Sequence, residues 1–248
     1  MPNDIHLRIK RQATSTAESY WEEFKLPYRP RQNIISCLME IRRNPVNAAG
    51  KRTTAVVWEC NCLEEVCGAC TMVINGRPRQ ACSALVDKLS QPLTLEPLRK
   101  FPVYRDLMID RQVMFDNLRR GRAWIDIDGS YPVGPGPRVF EKTRLWAYEL
   151  SRCMTCGCCM HACPQVNSRS SFIGPAAVAQ VRLMNVHPTG SLQADERLAA
   201  LIRAGGASEC GNAQNCQKAC PKNIPLVTSI ADINRQLTVR GLLGWLRS

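Results

Sequence analysis

The sequence predicts an α+β chain, with a small mixed sheet crossed by one helix in the first half and a mainly helical second half. Three observations carry that reading. Apolar residues alternate at strand period near the start, as in residues 5–10 (IHLRIK). Helix-spaced apolar residues dominate after about residue 105. The cysteines fall into two groups with different spacings, one in each half. The change of character between Val103 and Asp106 divides the chain into expected domains 1–104 and 105–248.

In order, residues 5–10 and 20–26 (YWEEFKL) read as two strands joined by a turn. Asn33 reads as the N-cap of a helix over 34–43, whose Ile34, Ile35, Leu38, Met39 and Ile41 share a face and which Asn44-Pro45 stops. Residues 56–58 are expected as a strand leading into the first cysteine loop. Residues 71–74 and 77–82 flank Asn75-Gly76, the dipeptide favoured in type I′ hairpins. Residues 93–95 close the sheet. Beyond it, helices are expected over 106–120, 141–151, 175–186, 195–204 and 226–237, with a Gly/Pro-rich loop at 127–137 (IDGSYPVGPGP). No tandem repeat of solenoid length is present.

The first cysteine group reads Cys62-x4-Cys67-x2-Cys70-x11-Cys82. This is the plant-type spacing of a [2Fe–2S] cluster. A zinc site would favour two short pairs instead. Gly68 and Ala69 keep bulk away from a loop that must aim its amides at the sulfurs, and the hairpin returns Cys82 as the fourth ligand. The second group reads Cys153-x2-Cys156-x2-Cys159-x3-Cys163-Pro164, answered by Cys210-x5-Cys216-x3-Cys220-Pro221. In two-cluster ferredoxins the fourth cysteine of each run serves the other cluster. That rule assigns Cys153, Cys156, Cys159 and Cys220 to a [4Fe–4S] cluster. It leaves Cys163, Cys210 and Cys216 for the other, because Ala213 stands where the second run's second cysteine belongs. A cubane corner without a thiolate loses its iron, so [3Fe–4S] is expected there; the alternative is a [4Fe–4S] cluster with a non-thiolate fourth ligand. Iron is thus held through the same cysteines, with no residue assigned a catalytic role. Cys37 and Cys60 are expected to be small buried residues, and Cys158, out of register, a packed thiol.

The formal charge is +12, from 33 Lys and Arg against 21 Asp and Glu. Eleven cluster-bound thiolates bring this down to roughly +6, and the basic residues form no run of five, so nucleic acid is not the expected partner. Cysteines clustered for metal indicate a reducing compartment rather than a disulfide scaffold. The start carries no apolar signal region, and no run of apolar residues approaches the length of a membrane span. A prokaryotic cytoplasmic product is the simplest expectation.

A two-iron domain followed by four-iron and three-iron sites resembles the iron–sulfur subunit of succinate dehydrogenase and quinol:fumarate reductase. The likeness covers essentially the whole chain. It includes the ligand cysteines and the flanking words Arg42-Arg43-Asn44-Pro45, Asn61-Cys62-Leu63-Glu64-Glu65-Val66-Cys67-Gly68, Phe101-Pro102-Val103, Phe172-Ile173-Gly174-Pro175 and His187-Pro188-Thr189-Gly190. It is nearest to the Gram-positive, menaquinone-using type. The resemblance implies a plant-ferredoxin-like β-grasp domain followed by a helical bacterial-ferredoxin-like domain. It further implies an FAD-binding flavoprotein partner that oxidises succinate, and a membrane-anchor cytochrome b, di-haem in this type. Electrons would pass through the [2Fe–2S], [4Fe–4S] and [3Fe–4S] clusters to menaquinone near the anchor. The chain itself would hold neither succinate nor FAD, and would lie peripherally on the cytoplasmic face of the membrane. A quinol:fumarate reductase running the same wire in reverse is the alternative.

One departure bears on the quinone. Ubiquinone-type relatives place histidine after the first three-iron ligand of the second run and tryptophan after the first Cys-Pro; here those places hold Gly211 and Gln165-Val166-Asn167. Their quinone pocket therefore cannot be carried over. Small subunits of molybdenum hydroxylases share the first spacing, but the Cys-Pro runs argue against them. A free multi-cluster ferredoxin would need no extended helical surround. Of the three histidines, His6 is expected on an edge strand, His161 near a cluster sulfur and His187 as a helix cap. Residues 242–246 (LLGWL) are expected to touch either the lipid interface or a partner subunit.

Overall fold

The computed structural model describes residues 4–126 and 138–247, the last five by backbone only. The loop expected at 127–137 and the side chains of 243–246 lie outside the described residues. The chain forms two compact units, Met1–Arg111 with Met154–His161, and Gln112–Cys153 with Ala162–Ser248.

In the first unit, strand β1 (Asp4–Arg11) pairs antiparallel with β2 (Tyr20–Pro27). Helix α1 (Ile34–Arg43) follows, then the hairpin β3 (Thr71–Ile74) and β4 (Arg77–Gln80), and β5 (Leu93–Glu96). The sheet order is β2-β1-β5-β3-β4, with β1 and β5 parallel. Ile5, Leu7 and Ile9 point inward by strand alternation and share one buried cluster with Ile34, Ile35, Leu38 and Ile41 of α1, and with Leu93 and Leu95. Each such side chain contributes about 1.5–3 kcal/mol on burial.

Helix α1 begins where expected. Asn33 Oδ1 accepts from Ser36 N–H at 2.9 Å, and Ser36 Oγ accepts from Asn33 N–H at 3.0 Å, a reciprocal capping box. In the hairpin, Asn75 (φ 48°) and Gly76 (φ 76°) both adopt the left-handed conformation that a type I′ turn requires.

Three expectations about secondary structure and strand position fail in this unit. Residues 56–58 form no strand, because their backbone groups are engaged elsewhere: Val57 N–H donates to Asp106 Oδ2 at 2.9 Å and Val57 O accepts from Leu107 N–H at 3.1 Å. The helix expected from 106 begins only at 112. Asp106 sits at φ 47° between the short strands β6 (Val103–Arg105) and β7 (Met108–Ile109), its carboxylate bound to Arg11 Nε at 2.9 Å. His6 lies on β1, which is interior to the sheet rather than at an edge.

The second unit is helical: α2 (Gln112–Arg120), α3 (Glu141–Ser151), α5 (Pro175–Val186), α6 (Ala194–Ile202), α7 (Asn215–Lys218) and α8 (Leu226–Arg247); the short α4 (Cys158–Ala162), between α3 and α5 in sequence, lies almost wholly in the segment that joins the first unit. Its core joins Val178 and Val181 of α5, Leu201 of α6, and Ile230 and Ile233 of α8. Buried Arg197 ties the turn after α2 to the start of α6, donating to the carbonyls of Trp124 and Gly190, each at 2.7 Å. Helix α8 runs ten residues beyond the expected 226–237. No helix among the described residues is long and apolar enough to cross a membrane.

Candidate metal centres

The first cysteine loop is wound so that its amides face sulfur. Leu63 (φ 62°), Glu65 (φ 56°) and Gly68 (φ 71°) are left-handed, and the alternation turns successive N–H groups inward. Cys62 Sγ accepts from the N–H groups of Glu64, Val66 and Cys67 at 3.3–3.4 Å. Cys67 Sγ accepts from Ala69 N–H at 3.4 Å and Cys62 N–H at 3.5 Å. These bonds, led by that from Glu64, lower the Cys62 thiol to about 6. The loop therefore favours thiolate, the form that binds iron.

Cys70 and Cys82, the other two expected ligands, lie beside each other. Both are buried, and burial first of all pushes the Cys70 thiol up to about 12, with the Cys82 N–H acting in the opposite sense. Iron would offset that cost, since a coordinated thiol is deprotonated outright. Asn33 has a second task that the sequence did not disclose: its Nδ2 donates to Cys82 O at 2.9 Å, tying the fourth ligand to the start of α1. Ser83 Oγ donates to Glu65 Oε1 at 2.9 Å, joining the ligand-bearing loop to the hairpin exit. An all-thiolate set ringed by N–H donors fits a [2Fe–2S] cluster. Cys37 lies in the core as expected. Cys60 is exposed, contrary to expectation, in the loop that precedes the first ligand cysteine.

Met154–His161, the middle of the Cys153–Cys163 run, belongs to the first unit. Cys156 and Cys159 are buried there, and the out-of-register Cys158 is fully enclosed. The Cys158 thiol, followed by burial effects, governs Cys156: its hydrogen bond holds the Cys156 thiol down at about 7, while Cys158 itself is pushed up. Gln80 Nε2 approaches Cys158 Sγ at 3.8 Å and donates to Thr71 Oγ1 at 3.0 Å. Burial lowers the His161 pKa, and its Nδ1 has no hydrogen-bond partner among the described residues.

In the second unit Cys153 follows α3, its N–H donating to Leu150 O at 3.2 Å, and Cys220 follows α7, its Sγ accepting from Ile224 N–H at 3.4 Å. Cys163, Cys210 and Cys216 line one small cavity together with Pro164, Gly211 and Ala213. Burial, then the proximity of Cys163, pushes the Cys216 thiol up to about 11. Three sulfurs and an alanine methyl around one cavity fit a cluster with three thiolate corners. A Cβ on Gly211 would stand 2.5 Å from Gln165 Nε2, so the two positions that depart from the ubiquinone type face each other. His187 caps α5 as expected, its Nδ1 accepting from Gly190 N–H at 3.4 Å. Among the described residues no three His, Cys, Asp or Glu side chains converge on a single-ion position, which is a tighter geometry than thiolates spread around a cluster.

A 2Fe-2S iron-sulfur cluster binding domain matches residues 6–116, and a 4Fe-4S dicluster domain matches residues 149–224. The chain is therefore an iron–sulfur protein of the electron-transferring, multi-cluster class. It is 59% identical over 244 residues to the succinate dehydrogenase iron-sulfur subunit of Bacillus subtilis, covering 98% of this chain and 96% of that one. It is 27% identical to the fumarate reductase iron-sulfur subunit of Wolinella succinogenes over 90% of this chain and 92% of the relative. Its fold matches a chain of the Mycobacterium smegmatis Sdh1 complex in the apo form, with a TM-score of 0.76 at 21% identity, covering 97% and 98% of the two chains. The chain belongs to the family of succinate dehydrogenase iron–sulfur subunits, and its α+β fold, a 2Fe–2S domain followed by a helical dicluster domain, is the one the sequence predicts.

Proposed function

We propose that this chain is the electron-transfer subunit of a succinate:quinone oxidoreductase. It would carry electrons from FAD in a flavoprotein subunit to menaquinone at a membrane-anchor cytochrome b, di-haem in type, on the cytoplasmic face of the membrane. Residues 1–104 hold [2Fe–2S] through Cys62, Cys67, Cys70 and Cys82. Residues 105–248 hold [4Fe–4S] through Cys153, Cys156, Cys159 and Cys220, and [3Fe–4S] through Cys163, Cys210 and Cys216. When bound, such clusters accept and release single electrons at potentials set by burial and by hydrogen bonds to sulfur. The chain's own part is to supply thiolates, to aim the N–H groups of Glu64, Val66, Cys67 and Ala69 at them, and to keep the Cys70, Cys82, Cys163 and Cys216 corners away from water. The physiological direction favoured is succinate oxidation; fumarate reduction would use the same residues.

The observation that carries the cluster assignment is the cavity shared by Cys163, Cys210, Cys216 and Ala213. The test is low-temperature EPR of the complex purified from membranes, as isolated and after succinate. An oxidised three-iron signal that disappears on adding succinate, as a reduced two-iron signal grows, supports the whole assignment. No three-iron signal sinks the reading of Ala213. A three-iron signal indifferent to succinate sinks the substrate.

A further inference from the structure

We propose that Arg111 is a positioning residue at the junction of the two-iron and four-iron sites, fixing the Cys67–Cys70 turn against Cys156 and raising the potential of both clusters with its permanent charge; this rests on the ligand assignment above. Arg111 follows β7 and ends the main segment of the first unit. Its Nη2 donates to Gly68 O at 2.7 Å and to Cys156 O at 3.4 Å. Gly68 stands between two-iron ligands, and Cys156 is a four-iron ligand. One guanidinium thus bridges the backbone of both ligand segments.

The approach is as close as backbone permits. A Cβ at Gly68 would lie 2.8 Å from Cys156 Cβ and 2.9 Å from its Cα. The two segments therefore touch across a bare glycine, with no intervening side chain. Two carbonyl oxygens aimed at one place would repel; a group with several fixed N–H donors removes that repulsion, and guanidinium keeps its charge at every physiological pH. Arg111 is half-buried, so its field is screened less than that of a surface arginine.

The step served is a one-electron exchange: one cluster is oxidised by one electron as the other is reduced by one, with no proton moved and no cysteine bond changed. Each cluster gains negative charge on reduction. A cation beside ligands of both favours the reduced form of each.

The test is an EPR-monitored redox titration of the assembled complex carrying Arg111→Gln or Arg111→Lys. R111Q is expected to lower the reduced-to-oxidised ratio of the two-iron and four-iron clusters about tenfold at fixed potential, about 59 mV for one electron. R111K keeps the charge and is expected to restore most of both potentials. The three-iron potential stays at the parent value in each variant. If R111Q does not assemble, Arg111→His decides: both potentials become pH-dependent across the histidine range, about pH 5.5–7.5. Unshifted potentials in R111Q, equal shifts in all three clusters, or pH-independent potentials in R111H overturn the proposal. Absence of either cluster signal from the parent complex removes the ligand assignment and the proposal with it, and is told apart because it precedes any substitution.

Discussion

Asp106→Asn isolates the contact that holds the backbone leading into the two-iron loop. Asp106 is 2% exposed and Arg11 1%. Asp106 Oδ1 accepts from Arg11 Nε at 2.9 Å and Gln12 N–H at 3.0 Å, and Oδ2 accepts from Val57 N–H at 2.9 Å. Arg11 also pairs with buried Glu22 and donates to Thr54 O at 3.0 Å, so the cation keeps a partner in the variant. An asparagine has one acceptor oxygen for these donors. Whichever way the amide is turned, an NH2 group faces a part-buried backbone N–H. Breaking a buried ion pair costs about 3–5 kcal/mol, and a stranded N–H costs about 1–3 kcal/mol by itself. Because Arg11 retains Glu22, about 3–4 kcal/mol is the expected total. Unfolding of a multi-subunit complex yields no single free energy, so the assay is hydrogen exchange at the Val57 amide. That free energy corresponds to about 10²- to 10³-fold faster exchange when local opening governs the rate. Arg8→Gln is the control: the Arg8–Glu23 pair is exposed at 44% and 62%, and its loss should change exchange at most a few-fold. Val57 exchange in Asp106→Asn equal to that of the control would refute the staple.

Three other outcomes follow from the geometry. Ala213→Cys adds a fourth sulfur to the cavity of Cys163, Cys210 and Cys216, and should replace the oxidised three-iron EPR signal with that of a four-iron cluster; an unchanged signal would mean the register is wrong. Gly68→Ala places a side chain at φ 71° and within 2.8 Å of Cys156 Cβ, where left-handed strain alone costs about 1–2 kcal/mol; iron and sulfide analysis should find the complex depleted in clusters, and full occupancy would contradict the close contact. In the Asp232 carboxyl, burial acts upward, but hydrogen bonds from Arg235 and Arg182 outweigh it and hold the pKa below the usual value. The stabilisation is therefore present above the unfolded carboxylate range and lost as pH falls through the folded value. Asp232→Asn should loosen α5 against α8 at pH 7, by less than about 1 kcal/mol because the pair is partly exposed, with the difference from parent closing in acid; hydrogen exchange of α8 at both pH values reads it.

Local chemistry was legible in the sequence wherever it is decided locally. Asn75-Gly76 specifies its turn because few residues tolerate two left-handed positions in succession. Asn33 specifies a helix start because its side chain replaces a missing backbone partner. Cysteine spacing suggested which thiols act together, since a cluster demands sulfurs at set intervals along a wrapped chain, and Cys163, Cys210 and Cys216 do line one cavity. What depended on distant partners was hidden. Residues 56–58 have strand-like side chains, but their hydrogen bonds go to Asp106, some fifty positions away. Residues 106–111 have a helical pattern, but Arg11 holds Asp106 outside it. Arg111 and Gln80 gave no signal, because a single arginine or glutamine carries none until folding shows what it touches. Cys60 was misjudged because cysteine's general preference for the interior does not decide the burial of one loop position.

The first unit is discontinuous: it needs Met154–His161 as well as Met1–Arg111. A ribosome that has just released residue 111 has therefore delivered only part of it, and the missing piece is complete only after fifty more residues. At synthesis rates of about 5–20 residues per second, that delay is about 3–10 s. Through that interval the turn around Gly68 stands without the segment that packs closely against it. The segment from Cys62 to Cys82 is complete within the first 111 residues, whereas Cys156 arrives only with the later half of the chain.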